Sequence, residues 1–393
     1  MTNYPTKYLL IFLIFHSIFF GFGIRQSRAS CHPTDREALL DFKRRITFDP
    51  SKLLDSWIPS KDCCTSWNGI KCNPSTGRVI NLDRRGLYPD DRLINTTMSG
   101  TLSPFLGNLS SLESLILSDL KNLTGFIPSE LGKLTNLREM YIELNNLEGS
   151  IPSTIKSMSK LEALVLSDNH LTGPIPHNLF KKLKSLKYLD FSNNNLSGSL
   201  PESIENLSNL TSLILTNNRL SGSIPPSIGN MDSLTSIELS DNNLSGPIPN
   251  SIGNLRRVNF LNLENNNLSG NIPTTIGNMI RLVYIYLSNN NLTGKIPPTL
   301  SKLENLLYLE LSRNRLSGPI PPQFANMSGL GSLILYGNGL SGPISPELAN
   351  ISGLGNILLS NNRLSGPIPP QLANLSDLSF LHLSGNSLTG KIQ

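Results

Sequence analysis

The sequence predicts an α/β solenoid, a right-handed superhelix of short stacked units whose concave face is a parallel sheet. Three observations carry that expectation. A pattern of the form LxxLxLxxNxLxGxIPxx recurs from Leu112 to the end of the chain. Aromatic residues make up 6% of the chain and charged residues 16%, a bias that fits one repeated unit better than several mixed globular domains. All four cysteines, Cys31, Cys63, Cys64 and Cys72, lie in one segment ahead of the repeats.

The units start at Leu112, Leu137, Leu161, Leu186, Leu210, Leu234, Val258, Leu282, Leu306, Leu330, Leu354 and Leu378, a spacing of 24 residues with 25 twice. A degenerate unit precedes them, from Val79 and Leu82 to Gly100 and Leu102. Within the unit from Leu161 to Pro176, Leu161, Leu164 and Leu166 point inward, and the last two alternate as in a short strand. Asn169 ends the strand, and its amide can both donate to and accept from buried backbone groups. The same position holds Asn145, Asn194, Asn218, Asn242, Asn266, Asn290, Asn314, Asn338, Asn362 and Asn386. Stacking therefore predicts an asparagine ladder. Gly173 frees the backbone to turn, Ile175 fills the core, and Pro176 fixes φ where the outer segment begins. Twelve strands about 4.8 Å apart give a sheet roughly 55–60 Å long.

At the N-terminus Lys7 precedes an apolar run from Tyr8 to Gly23, and Ser27 and Ala29 supply small residues for cleavage before Ser30. This is the form of a secretory signal, and the run is short for a membrane span. Removing its three cations, Lys7, Arg25 and Arg28, takes the formal charge from +5 to +2. The remaining cations are scattered, so no nucleic-acid footprint results. Four cysteines in a secreted chain read as disulfides. Of the three possible pairings, a bond between adjacent Cys63 and Cys64 is disfavoured by their short Cα separation. A zinc site is the alternative, against which stands the lack of paired CxxC arms.

The LxGxIP signature resembles the plant extracellular class of leucine-rich repeats. The segment Asp35-Arg36-Glu37-Ala38-Leu39-Leu40-Asp41-Phe42-Lys43, then Trp57, then Cys63-Cys64-Thr65-Ser66-Trp67-Asn68-Gly69-Ile70-Lys71-Cys72 resembles that class's N-terminal cap. The resemblance implies a cap helix at about residues 33–47 and disulfides Cys31–Cys63 and Cys64–Cys72. It divides the chain into a signal peptide (1–29), a cap (30–77), a degenerate first repeat (78–111) and twelve repeats (112–393), the last incomplete. Within the class the chain is similar to small secreted proteins such as polygalacturonase inhibitors, which carry a comparable extra residue at Ser118–Gly125, and to ectodomains of receptor-like proteins. Those inhibitors have about ten repeats and a cysteine-bearing C-terminal cap. Here the sequence stops inside a repeat at Lys391-Ile392-Gln393, with no cysteine after Cys72, so a truncated or uncapped chain is expected.

The third, fifth and seventh positions of each unit are expected to face solvent on the concave side. They place there Glu139, Tyr141 and Glu143; Tyr188 and Asp190; Glu238; Phe260, Asn262 and Glu264; Tyr284 and Tyr286; Tyr308 and Glu310; then Tyr336, Phe380 and His382. Phe260, Tyr284 and Tyr308 share one column in three consecutive units. Aromatic anchors rimmed by acids suit a protein partner, or a carbohydrate. The partner-binding candidates are Tyr188, Asp190, Glu238, Phe260, Glu264, Tyr284, Tyr286, Tyr308 and Glu310. The competing reading is that the rings merely stabilise the sheet.

Chemistry is not expected. The pairs Glu139 with Glu143 and Glu238 with Glu264 meet a glycosidase separation trivially, without a sign of a cleft. The histidines left after cleavage are His32, His170, His177 and His382, and the cysteines are assigned to disulfides, which leaves no nucleophile pair. No metal or phosphate motif and no cofactor are indicated. Sequons abound, and Asn95, Asn108, Asn326, Asn350 and Asn374 are the favoured glycan acceptors, the last three because they fall in outer segments. The expected function is extracellular protein binding in plant defence or cell-wall recognition, such as inhibition of a pathogen polygalacturonase. The alternative is the ligand-binding ectodomain of a receptor.

Overall fold

The computed structural model describes residues 29–86 and 96–390. The signal segment up to Arg28, the sequon Asn95 and the terminal Lys391–Gln393 lie outside the described residues.

The cap begins with a helix, Pro33–Arg45. Pro33 pre-sets φ in the first turn, Asp35 lies at the positive end of the helix dipole, and Lys43, Arg44 and Arg45 lie at the negative end. Ala38, Leu39 and Phe42 are buried, with Phe42 6.3 Å from Trp57 and Trp57 stacked on Trp67 at 5.3 Å. Buried Asp35 accepts from Arg78 Nε at 2.9 Å and Nη2 at 2.7 Å, and from the backbone N–H of Val79 at 2.8 Å. These bonds fasten the helix to the first long strand. Cys31 is bonded to Cys63 and Cys64 to Cys72, the pairing that the family resemblance implies. The helix ends two residues before Thr47, because Ile46–Phe48 is extended and pairs antiparallel with Met98–Thr101. Ile, Thr and Phe favour that conformation.

Each following unit makes one complete turn. A three-residue strand such as Phe260–Asn262 is followed by a tight turn, a second strand such as Asn267–Asn271, and a 3-10 helix such as Thr274–Asn278. The proline of the repeat stands just before that helix, as Pro273 does here, supplying a fixed φ and no N–H. The glycine of the second strand adopts positive φ, +76° at Gly173, which explains why a side chain is absent there.

Among the described residues two parallel-dominated sheets of fourteen strands result. The concave sheet holds the twelve expected strands, preceded by Ile70–Cys72 and Val79–Asp83, which pair antiparallel. It is therefore two strands longer than the repeat count of twelve predicts. The second sheet runs from Ile46–Phe48 to Ser387–Thr389 and was not foreseen from the sequence. Between the sheets and the outer helices lies one continuous core, in which leucines such as Leu261, Leu263 and Leu268 are fully buried. In the last unit Phe380 and Leu381 are 57% and 39% exposed. No helix among the described residues is long and apolar enough to cross a membrane.

Candidate binding face

The asparagine ladder sets the geometry of the concave face. Asn266 donates to the carbonyls of Leu239 (3.0 Å), Leu263 (3.3 Å) and Glu264 (3.1 Å), and its Oδ1 accepts from the N–H of Leu244 (2.9 Å). One side chain thus joins two repeats and holds the strand ends in register. The residue before each ladder asparagine is left-handed, with φ between +51° and +56° from Leu144 through Asn361 where it is not glycine. That turn lifts the chain off the concave sheet at the same point in every unit.

The strict register brings four rings together. Phe260 faces Tyr284, and Tyr284 faces Tyr308. Ring centroids are 5.8 Å apart for Phe260–Tyr284, 5.6 Å for Phe260–Tyr286, 6.5 Å for Tyr284–Tyr286 and 5.0 Å for Tyr286–Tyr308. These separations fit favourable aromatic pairs. Tyr284 is 38% exposed, and the other three are half-buried by their neighbours. Burial, with the nearby Glu310 carboxylate, holds the Tyr308 phenol well above its usual range. The cluster is therefore a neutral, largely apolar platform.

Glu238 lies beside the platform, opposite Asn262, and accepts from Ser236 Oγ at 2.9 Å. Glu264 accepts from Ser288 Oγ at 3.1 Å, and burial raises its carboxyl. Two of the partner-binding candidates are more enclosed than their positions in the repeat predict. Asp190 and Glu310 point to the concave side but are only 5% and 8% exposed. Asp190 stands in register between Val165 and Ile214, and Glu310 between Tyr286 and Ile334, so bulky neighbours close over both. Asp190 accepts from the N–H (2.9 Å) and hydroxyl (2.6 Å) of Ser192, and Glu310 from the same groups of Ser312. Burial raises both carboxyls. They brace the turn and offer a partner little surface. Tyr188 is separated from the rings by the strands of Ser212 and Ser236, so it does not join the cluster.

Near the cap, Tyr141 is pushed up to about 12 by burial and by Glu139 and Glu143. Arg313 lies 5.6 Å from the centre of the Tyr336 ring and extends the aromatic region toward the C-terminus. Of the sequons, Asn326, Asn350 and Asn374 end 3-10 helices and are exposed. Asn108 ends another and is half-buried. The positions at the upstream edge of the strands were overlooked in the sequence. There Glu162 is bonded by Arg138 at 2.7 Å and Lys187 at 2.6 Å. Farther along, Arg257 and Arg281 line an open groove of about 530 Å³ with Asn259, Val283, Glu304 and Leu307. The signal for it was a cation directly before the first core residue of two consecutive units.

A family described as Leucine rich repeat N-terminal domain matches residues 32–73, and Leucine rich repeat families match residues 159–220, 208–268, 280–340 and 354–375. The Leucine-rich repeat protein FLOR 1 of Arabidopsis thaliana is 37% identical over 32% of this chain and 36% of its own length. A polygalacturonase inhibitor of Vitis vinifera is 34% identical over 28% of this chain and 29% of its own. The matched segments thus span about a third of these curated relatives. Among solved structures, one titled as the PEPR1-AtPEP1 complex superposes with a TM-score of 0.79 at 34% identity, covering 92% of this chain and 53% of that one. The chain is a leucine-rich-repeat protein with the N-terminal cap of plant extracellular repeats, similar to polygalacturonase inhibitors and to receptor ectodomains.

Proposed function

We propose that this chain is a secreted, non-enzymatic binding protein of plant defence or cell-wall recognition, which holds a protein partner on its concave face. The observation that carries the reading is the platform of Phe260, Tyr284, Tyr286 and Tyr308, with Glu238 and Glu264 at its rim. Clustered aromatics anchor interfaces because they bury large area at low entropic cost. No cofactor or metal enters the reading. The signal peptide (1–29) directs the chain outside the cell, to the extracellular space or wall, and the cap (30–77), degenerate repeat (78–111) and repeats (112–393) form one rod. Glycans on Asn326, Asn350 and Asn374 cover the outer helices and leave the concave face free; Asn95 and Asn108 are further acceptors.

Similarity to polygalacturonase inhibitors supports a pathogen's pectin-degrading enzyme as the partner. Inhibition of a panel of fungal polygalacturonases by the purified chain and by a Phe260→Ala, Tyr284→Ala, Tyr308→Ala variant tests this. Inhibition is expected, with loss in the variant while the circular-dichroism spectrum is unchanged. No inhibition across the panel overturns the enzyme target, and equal inhibition by the variant overturns the platform. The second reading, a receptor ectodomain, is favoured by the likeness to a solved structure titled as a plant peptide hormone receptor in complex with RGF2. A transcript that continues past Gln393 into a transmembrane helix decides for it. Cell-wall polysaccharide is a further candidate ligand, tested by pull-down on pectin.

A further inference from the structure

The upstream edge of the concave sheet carries cations in two different electrostatic states. Near the cap, Arg138 and Lys187 share Glu162, which stands between them on the intervening repeat. Bonds from Lys187 first, and then from Arg138, hold the Glu162 carboxyl below its usual range. That part of the edge is internally neutralised. Arg257 and Arg281, four and five repeats beyond Arg138, lie on consecutive repeats and are exposed. Among the described residues neither forms an ion pair. The residue between them at the strand edge is Asn259, which cannot neutralise them.

These two guanidinium groups line the groove of about 530 Å³ together with Val283, Leu307 and Glu304. Leu307 is 46% exposed, and the next residues in its column are Gly331 and Gly355, so it forms an apolar step with open space beyond. Asn259, Val283 and Leu307 directly precede Phe260, Tyr284 and Tyr308, which makes the groove continuous with the aromatic platform.

We propose that this groove seats an extended acidic segment of a protein partner, with two carboxylates on Arg257 and Arg281 and an apolar side chain against Val283 and Leu307. The proposal rests on the concave-face reading above and names the chemistry of the partner. Charge complementarity selects the acids, because two adjacent unpaired guanidinium groups offer paired donors to carboxylates. The spacing agrees. Neighbouring repeats lie about 4.8 Å apart, and alternate side chains of an extended segment share one side at about 6.6 Å, a difference that arginine side chains absorb. Glu304 selects peptide over polyuronide. A polymer with a carboxylate on every sugar sets one against Glu304, whereas a protein segment carries acids at chosen positions and can meet Glu304 with a backbone N–H. The apolar step at Leu307 likewise has no counterpart in a polyuronide.

Fluorescence anisotropy with labelled octapeptides tests this on the full mature chain. One peptide carries Glu-Gly-Glu-Gly-Leu, which sets both acids and the leucine on one side of an extended segment, a second replaces both Glu by Gln, and an unlabelled oligogalacturonate competes. The acidic peptide is expected to bind at least about tenfold tighter than its Gln counterpart, and more weakly as salt rises, since exposed charges are screened. Arg257→Gln with Arg281→Gln should remove that preference, and Arg→Lys at both should keep part of it. Equal binding of the two peptides, no change in the double Gln variant, or preferential binding of the oligogalacturonate overturns the proposal. The Phe260→Ala, Tyr284→Ala, Tyr308→Ala variant separates the two readings. Arginine-dependent peptide binding that survives there, alongside undiminished polygalacturonase inhibition, keeps the groove and defeats the platform. Loss of inhibition there, with no peptide preference in the parent chain, does the reverse.

Discussion

The side-chain oxygen of Asn169 accepts the backbone N–H of Leu147 at 3.0 Å, although the two residues belong to successive repeats. The Asn169 amide also donates to Ile142 at 2.8 Å, in the same upstream repeat. One residue type thus satisfies backbone groups that the turn would otherwise bury without partners. Asn266→Ala removes the equivalent bonds, leaving the N–H of Leu244 without its side-chain acceptor and the carbonyl of Leu239 with the Asn242 amide alone. The expected loss is about 3 kcal/mol, concentrated in the two joined repeats because each repeat contacts only its neighbours. Hydrogen exchange is the measurement: the Leu244 amide should lose protection while amides near the cap keep theirs.

Leu144 occupies the left-handed turn position at φ +55°, where most other repeats carry Asn, Asp or Gly. A leucine pays more for that conformation than asparagine does. It is also 43% exposed, so little packing offsets the cost. Leu144→Asn should therefore stabilise the chain by about 0.5–1 kcal/mol. Arg313 has the same geometry at φ +51°, but it is held over Tyr336, so Arg313→Asn should gain less. Urea unfolding of the two variants side by side checks the order.

Acid should stabilise the fold before it destabilises it. Burial raises the carboxyls of Glu143, Asp190, Glu264 and Glu310. A raised carboxyl binds its proton more tightly in the folded state, so stability grows as pH falls from neutrality through the raised values and levels off near the ordinary range of about 4. Asp41 and Glu162 act in the opposite sense at lower pH. Burial pushes Asp41 up, but bonds from Arg45 and Ser103 outweigh it, while Lys187 and Arg138 lower Glu162. Their stabilisation is lost as pH falls below the ordinary range. A melting-temperature maximum in mild acid is expected, and Asp190→Asn with Glu310→Gln should flatten the neutral side. An unaltered slope in that double variant would falsify the assignment.

The two disulfides should differ in weight. Cys31–Cys63 closes 32 residues and Cys64–Cys72 closes 8. Loop-closure entropy assigns about 4 kcal/mol to the first and about 2.5 kcal/mol to the second. Replacing each pair by Ser and following cap unfolding through the buried Trp57 and Trp67 fluorescence should reproduce that order.

The sequence by itself determined the unit. Leu161, Leu164, Leu166, Asn169, Gly173, Ile175 and Pro176 each have a job that local chemistry assigns, and repetition every 24 residues leaves stacking as the way to bury the leucines. The cap was legible because its helix, tryptophans and cysteines form a contiguous signature. What tertiary structure decided were relationships between residues 24 apart. The second sheet was invisible because strands such as Asn267–Asn271 contain Asn, Ser and Gly and show no alternation of their own; their partners are in the neighbouring units. Asp190 and Glu310 looked exposed by position, yet Val165, Ile214, Tyr286 and Ile334 beside them close off the water. Arg138 and Arg257 carry the same charge at one edge, and among the described residues only the first forms an ion pair with a glutamate of the next repeat. In a solenoid the near neighbours in space are a full turn away in sequence, so periodicity specifies the fold, while exposure and pairing follow from which side chains the stacking brings together.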